Sequence, residues 1–474
     1  MIMRIATPEA YQLFHRGTLA LADVEANGMR VDVRYLKKAI EKSSQAIRDL
    51  ESELKTDKIF KQWRRLFGAK TNIGSGEQLA KLLFEDMGLE CRERTEKGKA
   101  SAAESNLLDI ELPFVVSWRR LQKLQKSKGT FLDGILNFTT SDGFLHPNFN
   151  LNLAASFRST SDNPNFQNFP ARNEEMAKLV RSCFIPRKNH HLVESDFSGV
   201  EVGVAGCYNH DSNLIHDYTE GDMHRDMAMK CFRLTEEEMT KQIRYCGKNM
   251  FVFPEFYGSY YVDCAKHLWE AIDRMKLVTK DGTPLKDHLA SKGIKKLGEC
   301  DPDQEPRPGT FEHHIRKTED NFWNVRYKTY NEWKKATWQE YQNKGWTQLH
   351  TGFVCARDSD GLAMNRKQVI NYRIQGSAFH CLLWALIEMN RWLKKNRMKS
   401  RVVSQIHDSI IGDVHKDELG DYLGKAQELM TVTLRKTWKW IIVPLAVEME
   451  ICDLNQTWFD KKQIDVGDYC AELN

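Results

Sequence analysis

Two short acidic segments, far apart in the chain, carry the residue types that phosphoryl transfer needs. Ser195–Glu201 (SDFSGVE) and Gln405–Ser409 (QIHDS) each follow the pattern of an apolar strand that ends in an aspartate. Mg²⁺ prefers oxygen ligands and keeps several waters, so two carboxylates and the substrate phosphates are enough to hold it. Either aspartate alone is more typical of a strand–turn boundary, but the pair in these contexts predicts that Asp196 and Asp408 share divalent metal ions.

A basic helical stripe lies between these two segments. Arg244 and Lys248 are four residues apart, so on a helix they share one face. Arginine binds phosphate through forked hydrogen bonds and lysine acts as a point charge. Such a pair alone is usually a solvated helix face, but here Tyr257 and Gly258 follow a few turns later. Phosphoryl transfer depends mostly on positioning and charge neutralisation. Metal ligands on both sides of a triphosphate-binding stripe therefore predict a nucleic-acid polymerase.

The elements that must position these residues can be read from periodicity and turn signals. A strand over 191–197 is followed by a helix, and strands over 402–406 and 410–414 form a hairpin around His407-Asp408-Ser409. Thr235-x-x-Glu238 is a capping-box pattern that predicts the start of the helix carrying Arg244. Helices are also predicted over 36–54, 77–87, 112–126, 322–344 and 375–395, with an irregular, Gly- and Pro-rich segment at 276–310.

The helix over 112–126 has a basic face. Arg119, Lys123 and Lys126 fall at positions i, i+4 and i+7. This pattern alone fits a solvated helix face and a phosphate-binding face equally well. The neighbouring Arg64, Arg65 and Lys70 favour contact with a nucleic-acid backbone.

Bulk composition excludes several classes of protein. The 474 residues, 41% of them hydrophobic, are enough for one multi-lobed domain or two to three smaller ones. No segment approaches the run of about eighteen apolar residues that a membrane helix needs. The net charge of +4 does not by itself indicate a nucleic-acid partner. Eleven cysteines without a C-x-x-C pair, and no signal-peptide core, predict a cytoplasmic chain with reduced thiols, in the host cytoplasm if it is viral.

Six ordered motifs resemble DNA polymerase family A, the class of bacterial DNA polymerase I. The resemblance covers residues from about 15 to 460, and the motifs occupy residues 18–32, 157–170, 196–201, 222–225, 371–378 and 407–408. Within them, Asp196–Glu201 resembles D-[YF]-S-x-x-E, Asn371–Ala378 resembles N-x-x-x-Q-G-[ST]-A, and His407-Asp408 resembles the H-D of the family's motif C.

The resemblance implies an α+β right-hand polymerase fold, with an antiparallel-sheet palm and helical fingers and thumb. It places an N-terminal segment and thumb in 1–149, the palm in 150–210 and 370–474, and the fingers in 211–369, with an insertion near 270–315. It implies template-directed DNA synthesis with two Mg²⁺ ions, primer–template DNA and dNTPs. A separate exonuclease, a helicase and other replisome proteins are candidate partners, and no membrane is involved.

The resemblance also assigns roles to individual residues. Asp196 and Asp408, with the Phe197 carbonyl, would bind the metals, and Glu201 would exclude a ribose 2′-hydroxyl. Tyr257 would stack near the templating base. The triphosphate would contact Arg244, Lys248 and His224, and Lys248 would be catalytic as well. The implied DNA contacts are Arg158, Gln167, Gln375, His407, Asn371, Arg119, Lys123 and Lys126.

Three departures from the family pattern affect the interpretation. Ser409 replaces the glutamate of the family's H-D-E, and H-D-S also occurs in single-subunit RNA polymerases, which favours RNA synthesis. Those enzymes lack a glutamate at the position of Glu201, so Glu201 favours the use of deoxynucleotides. Lys248 and Tyr257 are nine residues apart instead of eight, which predicts a π-bulge or kink in this helix. Because the register after Lys248 is then open, Phe251 and Phe253 are alternatives for the residue that faces the sugar. Asp23-Val24-Glu25 resembles an exonuclease D-x-E but reads as a charged helix turn, so proofreading is expected to be absent or supplied by another chain.

The leading hypothesis is therefore a phage-like DNA polymerase without its own exonuclease. An RNA-synthesising or primer-making polymerase is the alternative that Ser409 supports. A catalytically silent DNA-binding replisome component is the third hypothesis, and intact Asp196 and Asp408 argue against it.

Overall fold

An antiparallel sheet forms the centre of the molecule in the computed structural model, which describes residues 4–5, 7–91, 94–95, 97–108, 110–171, 173–356 and 363–473. In spatial order the strands of this central sheet are Lys462–Ile464, Ala446–Ile451, His190–Ser198, Ser409–His415 and Arg401–Ile406. Every neighbouring pair is antiparallel. The hairpin predicted around His407-Asp408 is confirmed, and the strand predicted over 191–197 lies in the middle of the sheet.

Helices cover one face of the central sheet. The long helix Arg366–Lys395 packs against Pro8–Asn27 and Val200–Asn209. It begins nine residues before the predicted start because Asn365 and Gln368 form a capping box, each side chain accepting from the other residue's backbone N–H. The remaining helices of this part are Glu174–Arg181, Leu419–Gln427, the π-helical turn Glu428–Thr433, Leu434–Thr437 and Val466–Leu473.

The N-terminal helix Pro8–Asn27 carries the D-x-E pair, and both acids have structural roles. The Asp23 carboxylate accepts hydrogen bonds from Asn390 Nδ2 at 2.7 Å and from Lys394 Nζ on the long helix. Glu25 Oε1 accepts from the Phe149 N–H at 2.6 Å. Their interpretation as part of a charged helix turn is confirmed.

A helical region with its own apolar core follows the N-terminal helix. Its core contains Leu54, Trp63, Leu79, Phe114 and Leu121, all buried. The helices predicted over 36–54, 77–87 and 112–126 are confirmed. As the structure has them, the helices of this region are Val33–Thr56, Lys58–Phe67, Gly76–Ala80, the π-helical turn Lys81–Asp86, Glu104–Leu107, Pro113–Lys126, the π-helical turn Ser127–Leu132 and Asp133–Phe138.

A second block of helices is inserted between strands His190–Ser198 and Arg401–Ile406. Its elements are Ser212–Thr219, Met223–Phe232, Lys241–Gly247, the π-helical turn Lys248–Val252, Phe253–Phe256, Tyr261–Arg274, Leu285–Ser291, Phe311–Asn321, the π-helical turn Phe322–Arg326 and Lys328–Lys344. We call the run 241–256 the pocket helix. Short strands complete the fold at Arg4–Ile5, Met29–Arg30, Phe144–Leu145, Asn148–Asn150, Thr160–Asp162, Trp346–Gln348 and Phe353–Ala356, together with 3₁₀ turns at Gly68–Lys70, Phe166–Asn168, Lys416–Glu418 and Trp458–Asp460.

The predicted start of the helix that carries Arg244 is wrong. The Thr235 N–H does bond to the Glu238 carboxylate at 2.7 Å, but the chain continues as a turn. The helix begins at Lys241, and the Thr240 hydroxyl caps it by accepting from the Ile243 N–H. The Glu238 carbonyl is instead engaged by the Lys280 N–H, which ties this turn to the segment after Arg274. That long-range contact is invisible in a local sequence pattern.

Within the described ranges, no helix combines the length and hydrophobicity needed to cross a membrane.

Candidate active site

The central sheet brings the two predicted metal ligands together. Asp196 is in register with Ser409 on one neighbouring strand and with Glu448 on the other. Asp408 directly precedes Ser409, in the hairpin turn, and its carbonyl accepts from the Phe197 N–H at 3.2 Å. Two carboxylates separated by more than two hundred residues in the chain therefore meet at one end of adjacent strands.

The electrostatics of this pair fit a bound cation. Burial raises the pKa of Asp196 to about 7, with further contributions from Asp408, Glu194 and Glu448. Burial also raises the pKa of Asp408. Two partly desolvated carboxylates that repel each other are stabilised by a divalent ion between them. In the part of the chain that the structure describes, no group of three or more His, Cys, Asp or Glu side chains is arranged for a metal. The donor set is two carboxylates, which suits a hydrated Mg²⁺.

Sequence reasoning missed the acidic surroundings of Asp196. Glu194 lies two residues earlier on the same strand and is held by Lys461 Nζ at 2.5 Å and Trp458 Nε1 at 2.9 Å. Glu448 accepts from the Ser198 hydroxyl at 2.9 Å. These residues come from separate strands and a C-terminal turn, so only the sheet pairing shows that they are neighbours.

Glu201 faces a pocket between the helix Val200–Asn209, the long helix Arg366–Lys395 and the inserted block of helices. Gly199, at φ 60°, ends the strand in a left-handed conformation, so the helix Val200–Asn209 begins at once and carries Glu201 in its first turn. The pocket is lined by Glu201, Val202, Ala205, Phe253, Phe256, Tyr257, Tyr330, Asn371, Ile374 and Gln375. Five predicted site residues therefore share one cavity: Glu201, Phe253, Tyr257, Asn371 and Gln375.

Two contacts hold Glu201 across this pocket. The Tyr257 hydroxyl donates to Glu201 Oε2 at 2.7 Å, and Arg158 Nη1 lies 3.6 Å from Glu201 Oε1. Burial raises the pKa of Glu201, while the Tyr257 hydrogen bond and Arg158 oppose that rise. Asn371 Nδ2 donates to the Tyr257 carbonyl at 3.3 Å. The side chain of Glu201 is thus fixed at the edge of the pocket.

The extra residue after Lys248 is accommodated in a π-helical turn over Lys248–Val252, where the Phe253 N–H bonds to the Lys248 carbonyl. This π-helical turn decides between the two phenylalanines. Phe251 is fully buried and packs edge-on against Phe322, 5.5 Å away. Phe253 lines the pocket and its ring lies 6.2 Å from that of Tyr257. Of the two alternatives, Phe253 is therefore the one that the structure places at the pocket.

The predicted triphosphate ligands cluster at the start of the pocket helix. Arg244 Nε donates to Asp222 Oδ2 at 2.7 Å, and Asp222 also caps the helix Met223–Phe232. Lys248 Nζ lies 5.2 Å from the ring centre of Phe253. His224 packs against the same ring at 5.5 Å. Burial first, and then Lys248 and Arg244, lower the pKa of His224 to about 4, so this imidazole is neutral at physiological pH.

A hydrogen-bond network shapes the turn that carries Asp408. Gln167 Oε1 accepts from the His407 N–H at 2.6 Å, and Gln167 Nε2 donates to Gln405 Oε1 at 3.0 Å. Gln405, which is 1% exposed, also accepts from the Ser159 hydroxyl at 2.6 Å. His407 adopts a positive φ of 50°. Gln405 is not among the site residues predicted from the sequence, although it begins the segment Gln405–Ser409.

Ser409 faces into the hairpin. It is 3% exposed, and its hydroxyl donates to the Ile406 carbonyl at 2.9 Å. The residue that departs from the family pattern is therefore engaged in the turn itself.

The predicted basic face on Pro113–Lys126 does not join this pocket. Arg119 and Lys123 lie beside a separate groove that also includes Asn173, Glu175 and Met176. Both pair with Glu104, at 3.6 Å and 3.2 Å. Lys126 is exposed. Glu104 thus offsets part of the charge that the sequence pattern assigned to this face.

Comparisons with known proteins decide the family. The model of "DNA polymerase family A" matches residues 40–276 and 315–459. The chain belongs to DNA polymerase family A. Between its two parts the match leaves residues 277–314 uncovered. In this segment the Lys280 N–H bonds to the Glu238 carbonyl.

Individual relatives of this family A chain are distant. It is 27% identical over 457 residues to DNA polymerase I of Bacillus subtilis, covering 94% of this chain and 45% of that protein. It is 26% identical over 405 residues to the DNA polymerase of Bacillus phage SP01, covering 81% and 40%. This chain thus spans less than half the length of these relatives.

A solved structure shows the fold. The POL domain of Pol1 from M. smegmatis, in complex with DNA primer-template and dNTP, superposes with a TM-score of 0.73 at 21% identity, covering 94% of this chain and 70% of that one. The α+β polymerase fold expected from the sequence is confirmed.

Proposed function

We propose that this chain is a template-directed DNA polymerase that adds deoxynucleotides to a primer 3′ end. One observation carries the proposal: Asp196 and Asp408 meet at adjacent strand ends. The same end of the sheet continues, through Gly199, to Glu201 and the pocket lined by Phe253 and Tyr257. A carboxylate pair next to a site that can bind a nucleotide is what nucleotidyl transfer requires.

Asp196 and Asp408 would hold two Mg²⁺ ions, with the Phe197 carbonyl as a further ligand. When bound, these ions supply activation of the primer 3′-hydroxyl and stabilisation of the leaving pyrophosphate. The chain's own contribution is to keep two desolvated carboxylates adjacent, so that the transferring phosphate is held in one position.

Arg244 and Lys248 would bind the triphosphate, with His224 beside them. Asp222 occupies only Nε of Arg244, so both terminal guanidinium nitrogens remain as a fork for phosphate oxygens. The neutral His224 can donate a hydrogen bond without adding charge. Lys248 supplies a mobile positive charge where the leaving group departs.

Glu201 would select the sugar. Its carboxylate is fixed by Tyr257 and Arg158, and it would occupy the position that a ribose 2′-hydroxyl needs. Phe253 would face the sugar and Tyr257 would stack near the templating base. Arg158, Gln167, Gln375, Asn371 and His407 would contact the nascent pair or the primer end from the minor groove, where the acceptor pattern is similar for all base pairs.

Primer extension on a DNA template, with dNTPs and rNTPs in parallel reactions, tests this proposal. Extension with dNTPs only is expected. Extension with rNTPs would favour an RNA-synthesising or primer-making polymerase, for which Ser409 in place of the family glutamate is the supporting residue. Tight binding of primer–template without extension would favour a catalytically silent replisome component.

A further inference from the structure

A buried carboxyl lies directly behind the nucleotide pocket. Glu255 is 1% exposed and sits between Phe253 and Tyr257 on the pocket helix. Residues four apart share a helix face, and the residue midway between them points to the opposite side. Phe253 and Tyr257 therefore line the pocket, while Glu255 faces the interior of the helical block.

Glu255 connects the pocket helix to two other elements. Its Oε2 accepts from Trp323 Nε1 at 2.8 Å, in the π-helical turn Phe322–Arg326. Its Oε1 accepts from Cys264 Sγ at 3.4 Å, in the helix Tyr261–Arg274. Burying a carboxyl is unfavourable unless its oxygens are hydrogen-bonded, and here both are.

A second carboxyl completes the connection. Glu319 lies close enough to Glu255 to raise its pKa, and Glu319 Oε1 accepts from the Tyr261 N–H at 2.9 Å. The segment Gly258–Tyr260 runs between these attachment points, from the end of the pocket helix to the start of the next helix. The carboxyl pair thus fixes both ends of the turn that follows Tyr257.

The surroundings of these two carboxyls favour their protonated forms. Two adjacent carboxylates repel each other, and burial disfavours the charged form of each. Burial and the Glu319 carboxyl raise the pKa of Glu255, and burial also raises that of Glu319. Lys334 Nζ lies over the Trp323 ring, 3.0 Å from its centre, and so packs on the side chain that holds Glu255.

We propose that Glu255 is a positioning residue for nucleotide binding. Through its hydrogen bonds to Trp323 and Cys264, it holds the pocket helix in the position where Phe253 and Tyr257 form the pocket wall. The inference rests on the polymerase function proposed above, because its effect is expressed through the nucleotide. It assigns a role to a residue that contacts neither substrate nor metal.

Three variants separate this role from simple structural support. Glu255→Leu removes every polar contact of Glu255 at similar size. Trp323→Phe removes the indole donor and part of the ring area, but keeps an aromatic side chain beside Phe256. Glu255→Gln keeps an acceptor for Trp323. Glu237→Gln, at an exposed glutamate in the same helical block, is the matched control.

The measurement is the rate of primer extension as a function of dNTP concentration. The rate is divided by the concentration of active sites, which the burst of single-nucleotide incorporation gives. Glu255→Leu and Trp323→Phe are expected to raise KM for dNTP about tenfold, because a misplaced pocket wall weakens nucleotide binding. The Kd for primer–template should be unchanged. Glu255→Gln and Glu237→Gln should stay within about twofold of wild type.

Other outcomes have distinct meanings. Wild-type KM in both Glu255→Leu and Trp323→Phe, with loss confined to thermal stability or the active fraction, would overturn the proposal. If Glu255→Gln raises KM for dNTP as much as Glu255→Leu does, the hydrogen bond to Trp323 is not what positions the pocket helix, and the proposal is overturned. If Glu255→Leu does not fold, Trp323→Phe still decides. A wild-type protein that does not extend primers would overturn the polymerase function itself, which is a separate result.

Discussion

The Tyr257 hydroxyl donates a hydrogen bond to Glu201 Oε2 at 2.7 Å. Tyr257 directly follows the pocket helix, and Glu201 lies in the first turn of the helix that follows the strand His190–Ser198. This contact therefore joins the element that would bind the nucleotide to the element that would hold the metals. A side chain fixed from both sides makes a stiffer barrier to a 2′-hydroxyl than a solvated glutamate does.

Replacing Glu201 with alanine should relax sugar selection. We expect rNTP incorporation relative to dNTP to rise by about 10- to 100-fold, the range that one pocket contact commonly contributes to discrimination. Single-nucleotide incorporation with matched dNTP and rNTP measures it. Tyr257→Phe, which keeps the ring and loses only the hydroxyl, should change the ratio by less than about threefold. An unchanged ratio in Glu201→Ala would remove Glu201 from sugar selection.

Arg244→Ala and Lys248→Ala should damage nucleotide use without weakening DNA binding. Loss of a charge-assisted phosphate contact is expected to raise KM for dNTP at least about tenfold. Steady-state extension at varied dNTP, with primer–template Kd measured separately, provides the test. Lys241→Ala, at an exposed position in the first turn of the same helix, is the control. Normal nucleotide kinetics in both variants would refute the triphosphate assignment.

Ser409→Ala should retain polymerase activity. The Ser409 hydroxyl is buried and bonds to the Ile406 carbonyl, so its removal costs one hydrogen bond in the turn and no metal ligand. Extension within about threefold of wild type is expected, with the same Mg²⁺ midpoint. A large shift in the Mg²⁺ requirement would instead show that the hydroxyl takes part in metal binding.

The buried carboxyl pair should make stability fall as pH rises. A raised pKa means that folded Glu255 and Glu319 bind more protons than the unfolded chain does. Between the unfolded and folded pKa values the free energy of unfolding therefore decreases with increasing pH. Urea unfolding from about pH 5 to about pH 8 is the measurement. Glu255→Gln should reduce the dependence of the free energy of unfolding on pH, and Glu237→Gln should leave it as in wild type. Equal pH dependence in wild type and both variants would argue against a raised pKa of Glu255.

Much of the scaffold follows from local sequence signals. The strands around Asp196 and Asp408 show apolar runs that end at turn residues, and both are present as expected. The helices over 36–54 and 112–126 follow from apolar periodicity. Such elements are predictable because burial of one face dictates the pattern along a few turns.

The unpredicted features depend on contacts between distant segments. The helix begins after Thr240 and not after Thr235, and the Glu238 carbonyl in the turn between them bonds to the Lys280 N–H, far along the chain. The choice of Phe253 over Phe251 required the π-helical turn, which rotates the helix after Lys248. Glu255 and Glu194 carry no motif signature of their own. Gln405 begins the segment Gln405–Ser409, but its partners Ser159 and Gln167 come from a distant segment.

The central claim is that Asp196 and Asp408 hold the metal ions for nucleotidyl transfer. The most direct test is single-turnover incorporation of one dNMP at saturating Mg²⁺ by wild type, Asp196→Ala, Asp408→Ala and the exposed control Asp417→Ala. The account predicts Mg²⁺-dependent incorporation by wild type and the control. It predicts loss of at least about a thousandfold in either active-site variant, with primer–template Kd retained. Loss of only a few-fold in either variant, with normal DNA binding, would contradict the claim and remove that aspartate from the metal site.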